Sequence, residues 1–81
     1  MSGEIEKEIL GILEEAIKRE KAACKLYRRG EEMSENQEFK KIFSMLAEEE
    51  LGHEKLLKQV YYDYKKRLGM KVLHPENGSE S

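Results

Sequence analysis

The chain has 81 residues, of which 40% are charged and 38% hydrophobic, and its formal net charge is -2. This length allows one domain at most, and the charges alternate in sign along the sequence, so we expect neither a nucleic acid nor a membrane as a partner. The sequence has no apolar run long enough to span a bilayer, its N-terminus lacks the apolar core of a secretory signal, and its single cysteine, Cys24, allows no internal disulfide. We therefore expect a cytoplasmic protein.

The first predicted element is a helix over residues 4–33. Apolar side chains recur there in steps of three and four, which is the spacing of one helix face; they are Ile5, Ile9, Leu13, Ala16, Ala23 and Tyr27. Gly30 costs a helix interior about 1 kcal/mol relative to alanine. An earlier end of the helix at Gly30 is therefore the alternative.

The second predicted element is a helix over residues 37–68 with the same spacing of apolar side chains, namely Phe39, Phe43, Leu46, Leu57, Val60 and Tyr64. The residues before it contain a capping-box pattern, Ser34 followed by Gln37, and Asn36 is a competing N-cap. Gly69 is expected to stop the helix. This gives one folded domain over residues 1–69 and a flexible tail over residues 70–81.

The predicted fold is all-α: an antiparallel two-helix hairpin that dimerises into a four-helix bundle. Each apolar stripe is wider than one neighbouring helix can cover, and chains this small usually need a metal or a partner to complete a core. Packing two hairpins together is the simplest way to cover both apolar stripes. We therefore expect a homodimer or a higher oligomer.

Polar residues interrupt both stripes at the middle: Glu20 in the first helix, and Glu50 and His53 in the second. Folding the chain about residue 35 places Glu20 opposite Glu50, each roughly 22 Å from the turn. An unpaired buried carboxylate is costly. Two hairpins would bring together four glutamates and two neutral histidines. The total charge of these residues is -4, which two divalent ions balance. The same residue set holds the metals of di-iron carboxylate bundles, and it suits two Fe ions per dimer, with Mn or Zn as substitutes.

The segments EKAACKLY, residues 20–27, and LAEEELGH, residues 46–53, resemble the rubrerythrin-type branch of the ferritin-like superfamily. The resemblance covers roughly residues 5–65. It implies that Glu20 and His53 are terminal metal ligands, that Glu50 is a bridging ligand, and that Tyr27 lies beside the metals. In its two-helix length the chain is similar to encapsulated ferritins, which complete their iron site across a dimer. That similarity suggests an encapsulin shell or an external electron donor as further partners.

Three functions are compatible with these features. The preferred one is an oxidoreductase that oxidises ferrous iron for storage or detoxification. The first alternative is a rubrerythrin-like peroxide reductase that depends on an external electron donor. The second is a metal-free helical dimerisation module, in which a buried polar network of Glu20, Glu50 and His53 fixes the pairing of helices. Glu49 is interpreted as a solvated flanking residue, with an additional ligand as its alternative role, and His74 as an inert residue of the tail.

Overall fold

The computed structural model describes residues 2–69, which form two antiparallel helices. α1 spans Ser2–Met33 and α2 spans Gln37–Arg67. The described residues contain no strand, so the all-α hairpin is confirmed, with α1 beginning two residues before its predicted start and α2 ending one residue early. Neither helix of this described part is long and apolar enough to cross a membrane. The predicted flexible tail, residues 70–81, lies outside the described residues.

Asn36 sets the start of α2. Its side-chain Oδ1 accepts hydrogen bonds from the backbone N–H groups of Glu38, at 2.8 Å, and Phe39, at 3.1 Å, which satisfies two of the unpaired donors of a helix N-terminus. Ser34 instead donates its hydroxyl to Gly30 O at 2.8 Å and so belongs to the end of α1. The capping box at Ser34 was therefore the wrong choice of N-cap, and the competing Asn36 is confirmed.

Gly30 does not end α1, so the alternative of an early stop was wrong. The ring of Phe43 packs against this glycine, and a Cβ at Gly30 would lie 2.8–2.9 Å from three atoms of that ring. The same ring stacks on Tyr27 with 6.4 Å between ring centroids. Close approach of α1 and α2 near the turn therefore requires a residue without a side chain.

Gly69 stops α2, as predicted. Its φ of +73° lies in the left-handed region that glycine adopts without strain. Its N–H donates to Lys66 O at 3.0 Å, which satisfies one of the carbonyl groups left free at a helix C-terminus.

The hairpin buries little apolar surface. Within the described residues, Leu10 and Ala47 are the buried hydrophobic side chains. Large apolar side chains instead remain exposed along one side of the hairpin. We call this set the apolar stripe; its members are Ile5, Ile9, Ile12, Leu26 and Met33 on α1, and Phe39, Ile42, Met45, Leu56 and Val60 on α2. A single hairpin thus leaves exposed many of the apolar side chains that the spacing predicted to be buried.

Candidate metal centre

The middles of α1 and α2 bring together Glu20, Glu50 and His53. One ligand atom from each of these residues lies within 4.8 Å of the others. His53 Nδ1 is 3.7 Å from Glu20 Oε1 and 3.6 Å from Glu50 Oε1. Glu50 and His53 share a face because they are three residues apart on one helix, and Glu20 meets them from α1. The predicted juxtaposition of Glu20 and Glu50 is confirmed.

The cluster opens on the side of the hairpin that carries the apolar stripe. The side chains of Glu20 and Glu50 are 24% and 19% exposed, whereas that of His53 is 59% exposed. His53 lies three residues before Leu56, a member of the stripe. The two carboxylates therefore form the floor of the site and the imidazole its rim.

One oxygen of the floor has no hydrogen-bonding partner. Glu20 Oε1 is buried and accepts no hydrogen bond among the described residues, and its 3.7 Å separation from His53 Nδ1 is too long for one. Leaving a buried acceptor unsatisfied costs about 1–3 kcal/mol, more for a charged group. A bound cation would remove that cost.

The donor set fits a transition metal. Carboxylate and imidazole donors suit Fe, Mn and Zn. An ion held about 2.1 Å from each donor places two donors up to about 4.2 Å apart. The two carboxylate oxygens lie 3.6 Å and 3.7 Å from His53 Nδ1, inside that limit. One hairpin nevertheless supplies only three of the donors that a pair of ions requires. The residues present therefore fit such a pair when a second set of donors faces them.

Two neighbouring residues do not join the cluster. Glu49 is exposed and stands outside the three-residue group. The ring of Tyr27 stacks on Phe43, and no hydrogen bond within residues 2–69 joins its hydroxyl to the carboxylates. A role of Tyr27 beside bound metals, and Glu49 as an additional ligand, stay predictions; His74 lies outside the described residues.

The structure adds polar contacts that the sequence analysis did not anticipate. Glu54, the residue after His53, is buried and pairs with Lys58 at 3.2 Å. Tyr61 donates a 2.6 Å hydrogen bond from its hydroxyl to Glu14 Oε2, and this bond raises the pKa of Tyr61 to about 12, with burial and the charge of Glu14 acting in the same direction. The spacing of four residues could have revealed the Glu54–Lys58 pair, since residues four apart on a helix are neighbours.

Comparison with known proteins identifies the family. No curated protein and no solved structure matches the chain. The sequence profile of the Rubrerythrin family matches residues 11–79, a range that contains all three residues of the cluster. The chain therefore belongs to the Rubrerythrin family of di-iron carboxylate proteins.

Proposed function

We propose that two copies of this chain hold a pair of iron ions between them and oxidise ferrous iron. Each copy supplies Glu20, Glu50 and His53. The observation that carries the proposal is the meeting of these three donors at a point where Glu20 Oε1 is buried without a hydrogen-bond donor from residues 2–69. A metal-free polar network would be expected to pair that oxygen.

The second copy is proposed from the surface around the cluster. Members of the apolar stripe flank the site on both helices, with exposures of 66% at Ile12 and 62% at Leu56. Large exposed apolar side chains gathered on one face in this way mark an interaction surface. Covering it with a second hairpin about a two-fold axis would place His53 and both carboxylates of each chain against those of the other.

The ferrous ions are the substrate of the proposed reaction. Two of them lose one electron each to dioxygen, which takes up two protons and leaves as hydrogen peroxide. The carboxylates of Glu20 and Glu50 offset the positive charge of the ions, and they accommodate the rise in that charge by changing how many oxygens they offer. His53 offers one ring nitrogen to an ion, and its other nitrogen is then free to bond an outer acceptor that orients the ring.

Anaerobic titration with Fe²⁺ tests the metal site. We expect one Fe²⁺ per chain, and roughly 100-fold weaker binding or more after Glu20→Gln or Glu50→Gln, because each change removes a charged ligand. The matched control is Glu8→Gln, which alters an exposed glutamate of α1 and should bind Fe²⁺ as the unaltered protein does. Unchanged binding by Glu50→Gln, or no uptake of Fe²⁺, Mn²⁺ or Zn²⁺ by the unaltered protein, would contradict the proposal and favour the dimerisation module.

Stopped-flow absorbance then separates the two redox functions. Ferrous-loaded protein is mixed with dioxygen or with hydrogen peroxide, and we expect oxidation by dioxygen at least as fast as by peroxide. A strong preference for peroxide would instead support a peroxide reductase, which needs two electrons from an external donor to convert each peroxide to two water molecules. The encapsulin shell and that donor stay predictions from the family resemblance.

A further inference from the structure

We propose that the side of α1 opposite the apolar stripe binds a short acidic segment of a partner protein. Four cations lie on this side in steps of three, four and four residues, so they share one helix face; we call Lys18, Lys21, Lys25 and Arg29 the basic strip. All four line an open groove of about 790 Å³. The proposal concerns this groove and does not depend on the iron site.

The positive charge of the basic strip is not neutralised within the hairpin. None of its four members forms an ion pair with another of the residues 2–69. Arg28, a fifth cation of the groove, is already paired with Glu31 at 3.0 Å and Glu48 at 2.7 Å.

Acidic residues in the groove leave that charge largely intact. Of the two acids that line the groove, Glu54 is paired with Lys58 at 3.2 Å, which leaves Glu32. Like charges three or four residues apart destabilise a helix by a few tenths of a kcal/mol per pair, and an anionic partner would reverse that cost.

The ends of the strip indicate how long the partner segment is. Lys18 and Arg29 are eleven residues apart, roughly 16 Å along the helix, and an extended chain of about five residues covers that length. Acids stand on the same face at both ends: Glu14 four residues before Lys18, and Glu32 three residues after Arg29. A continuous polyanion such as a nucleic acid would run over these carboxylates, whereas a short acidic peptide ends before them.

The groove remains accessible in the proposed dimer. At about 100° of rotation per residue, the basic strip is centred roughly 135° around α1 from the apolar stripe. A second hairpin packed on the stripe therefore leaves the groove exposed, and both partners can bind at once.

Binding of pentaglutamate to the full-length protein, followed by fluorescence anisotropy of the labelled peptide, tests the proposal. We expect binding at low ionic strength that weakens as salt is added, and roughly tenfold weaker binding after Lys21→Glu combined with Lys25→Glu. The matched control combines Lys41→Glu with Lys55→Glu, since these exposed lysines of α2 lie outside the groove and make the same change in net charge. The control should retain most of the binding.

Two comparison probes decide the class of partner: a single-stranded oligonucleotide with five phosphates and vesicles that contain phosphatidylserine. Both should bind less tightly than pentaglutamate. Pentaglutamate binding that is absent, equally weakened by the two double variants, or weaker than binding of either comparison probe would overturn the proposal. Circular dichroism and Fe²⁺ titration of each variant show whether its hairpin and its metal site are intact. A failure of peptide binding can therefore be distinguished from a failure of the proposed iron site.

Discussion

Tyr61 and Glu14 join α2 to α1 through a single 2.6 Å hydrogen bond. Since the hydroxyl must keep its proton to donate, the bond holds the pKa of Tyr61 at about 12, against an ordinary value of 10.0. A folded-state pKa above the unfolded one contributes stability that is fully present below pH 10 and is lost as the pH rises through about 12. The contact therefore stabilises the hairpin at neutral pH.

We predict that an ultraviolet titration of tyrosine ionisation will show a midpoint near 12 for Tyr61, absent after Tyr61→Phe. Glu14→Gln should lower that midpoint because it removes the charged acceptor. Glu15→Gln is the control, since Glu15 pairs with Arg19 and should leave the midpoint in place. A midpoint near 10 for Tyr61 in the unaltered protein would show that the hydrogen bond is not formed.

The meeting of Glu20 with Glu50 was predictable for a simple reason. In a two-helix hairpin with a short turn, residues equally far from the turn face each other, and this rule alone pairs Glu20 with Glu50. It does not pair Glu14 with Tyr61, which lie 21 and 26 residues from residue 35. Their contact depends on the reach of a tyrosine side chain, which sequence spacing does not encode.

The spacing of apolar residues, together with the cap residues, predicted the ends of α1 and α2 to within two residues. The N-cap of α2 was harder to predict, because Ser34 and Asn36 are both residue types that favour this position. Only the backbone geometry of the turn decides between them. The basic strip was missed because charges of both signs are mixed along the chain as a whole, whose formal net charge is -2. The helix then sorts these charges onto separate faces, and the steps of three and four between Lys18, Lys21, Lys25 and Arg29 are the signal that could have revealed it.

The tight packing of α1 on α2 predicts opposite effects for two glycine substitutions. Alanine favours a helix over glycine by about 0.8–1 kcal/mol. Gly11→Ala should therefore raise the free energy of unfolding, since no atom outside the helix lies within 4 Å of the new Cβ. Gly30→Ala should lower it by about 1 kcal/mol, because the clash with Phe43 costs more than the helix gains. Urea denaturation measures both changes, and an increase for Gly30→Ala would mean that the ring moves aside freely.

The hairpin carries its large apolar side chains on the outside. Leu10 and Ala47 are the buried hydrophobic residues of the described part, too few for a stable core in a chain of this size. The open rim of the Glu20–Glu50–His53 cluster lies on the same outer side. One event, the pairing of two hairpins, would thus complete both the core and the ligand set.

We predict that Leu56→Glu will weaken dimerisation. Leu56 is 62% exposed in the hairpin, so the change should leave the fold of one hairpin intact. A two-fold dimer packed on the apolar stripe would bury the Leu56 side chain of both copies. Losing two such contacts raises the dissociation constant by about 100-fold or more. Sedimentation velocity should show a dimer for the unaltered protein and a monomer for Leu56→Glu, with Fe²⁺ binding reduced in parallel.

The control for that experiment is Gln59→Glu, which adds the same charge to an exposed position of α2 outside the stripe. It should remain dimeric and bind iron normally. A Leu56→Glu variant that stays dimeric would place the interface elsewhere. Full iron binding by a monomeric variant would show that one hairpin is sufficient for the site.

The most direct measurement is a crystal structure of the iron-loaded protein with anomalous diffraction data collected at the iron absorption edge. We expect two anomalous peaks for each pair of chains, ligated by Glu20, Glu50 and His53 from both copies. Anomalous peaks held by a single chain, or none at these three residues, would rule out the shared site.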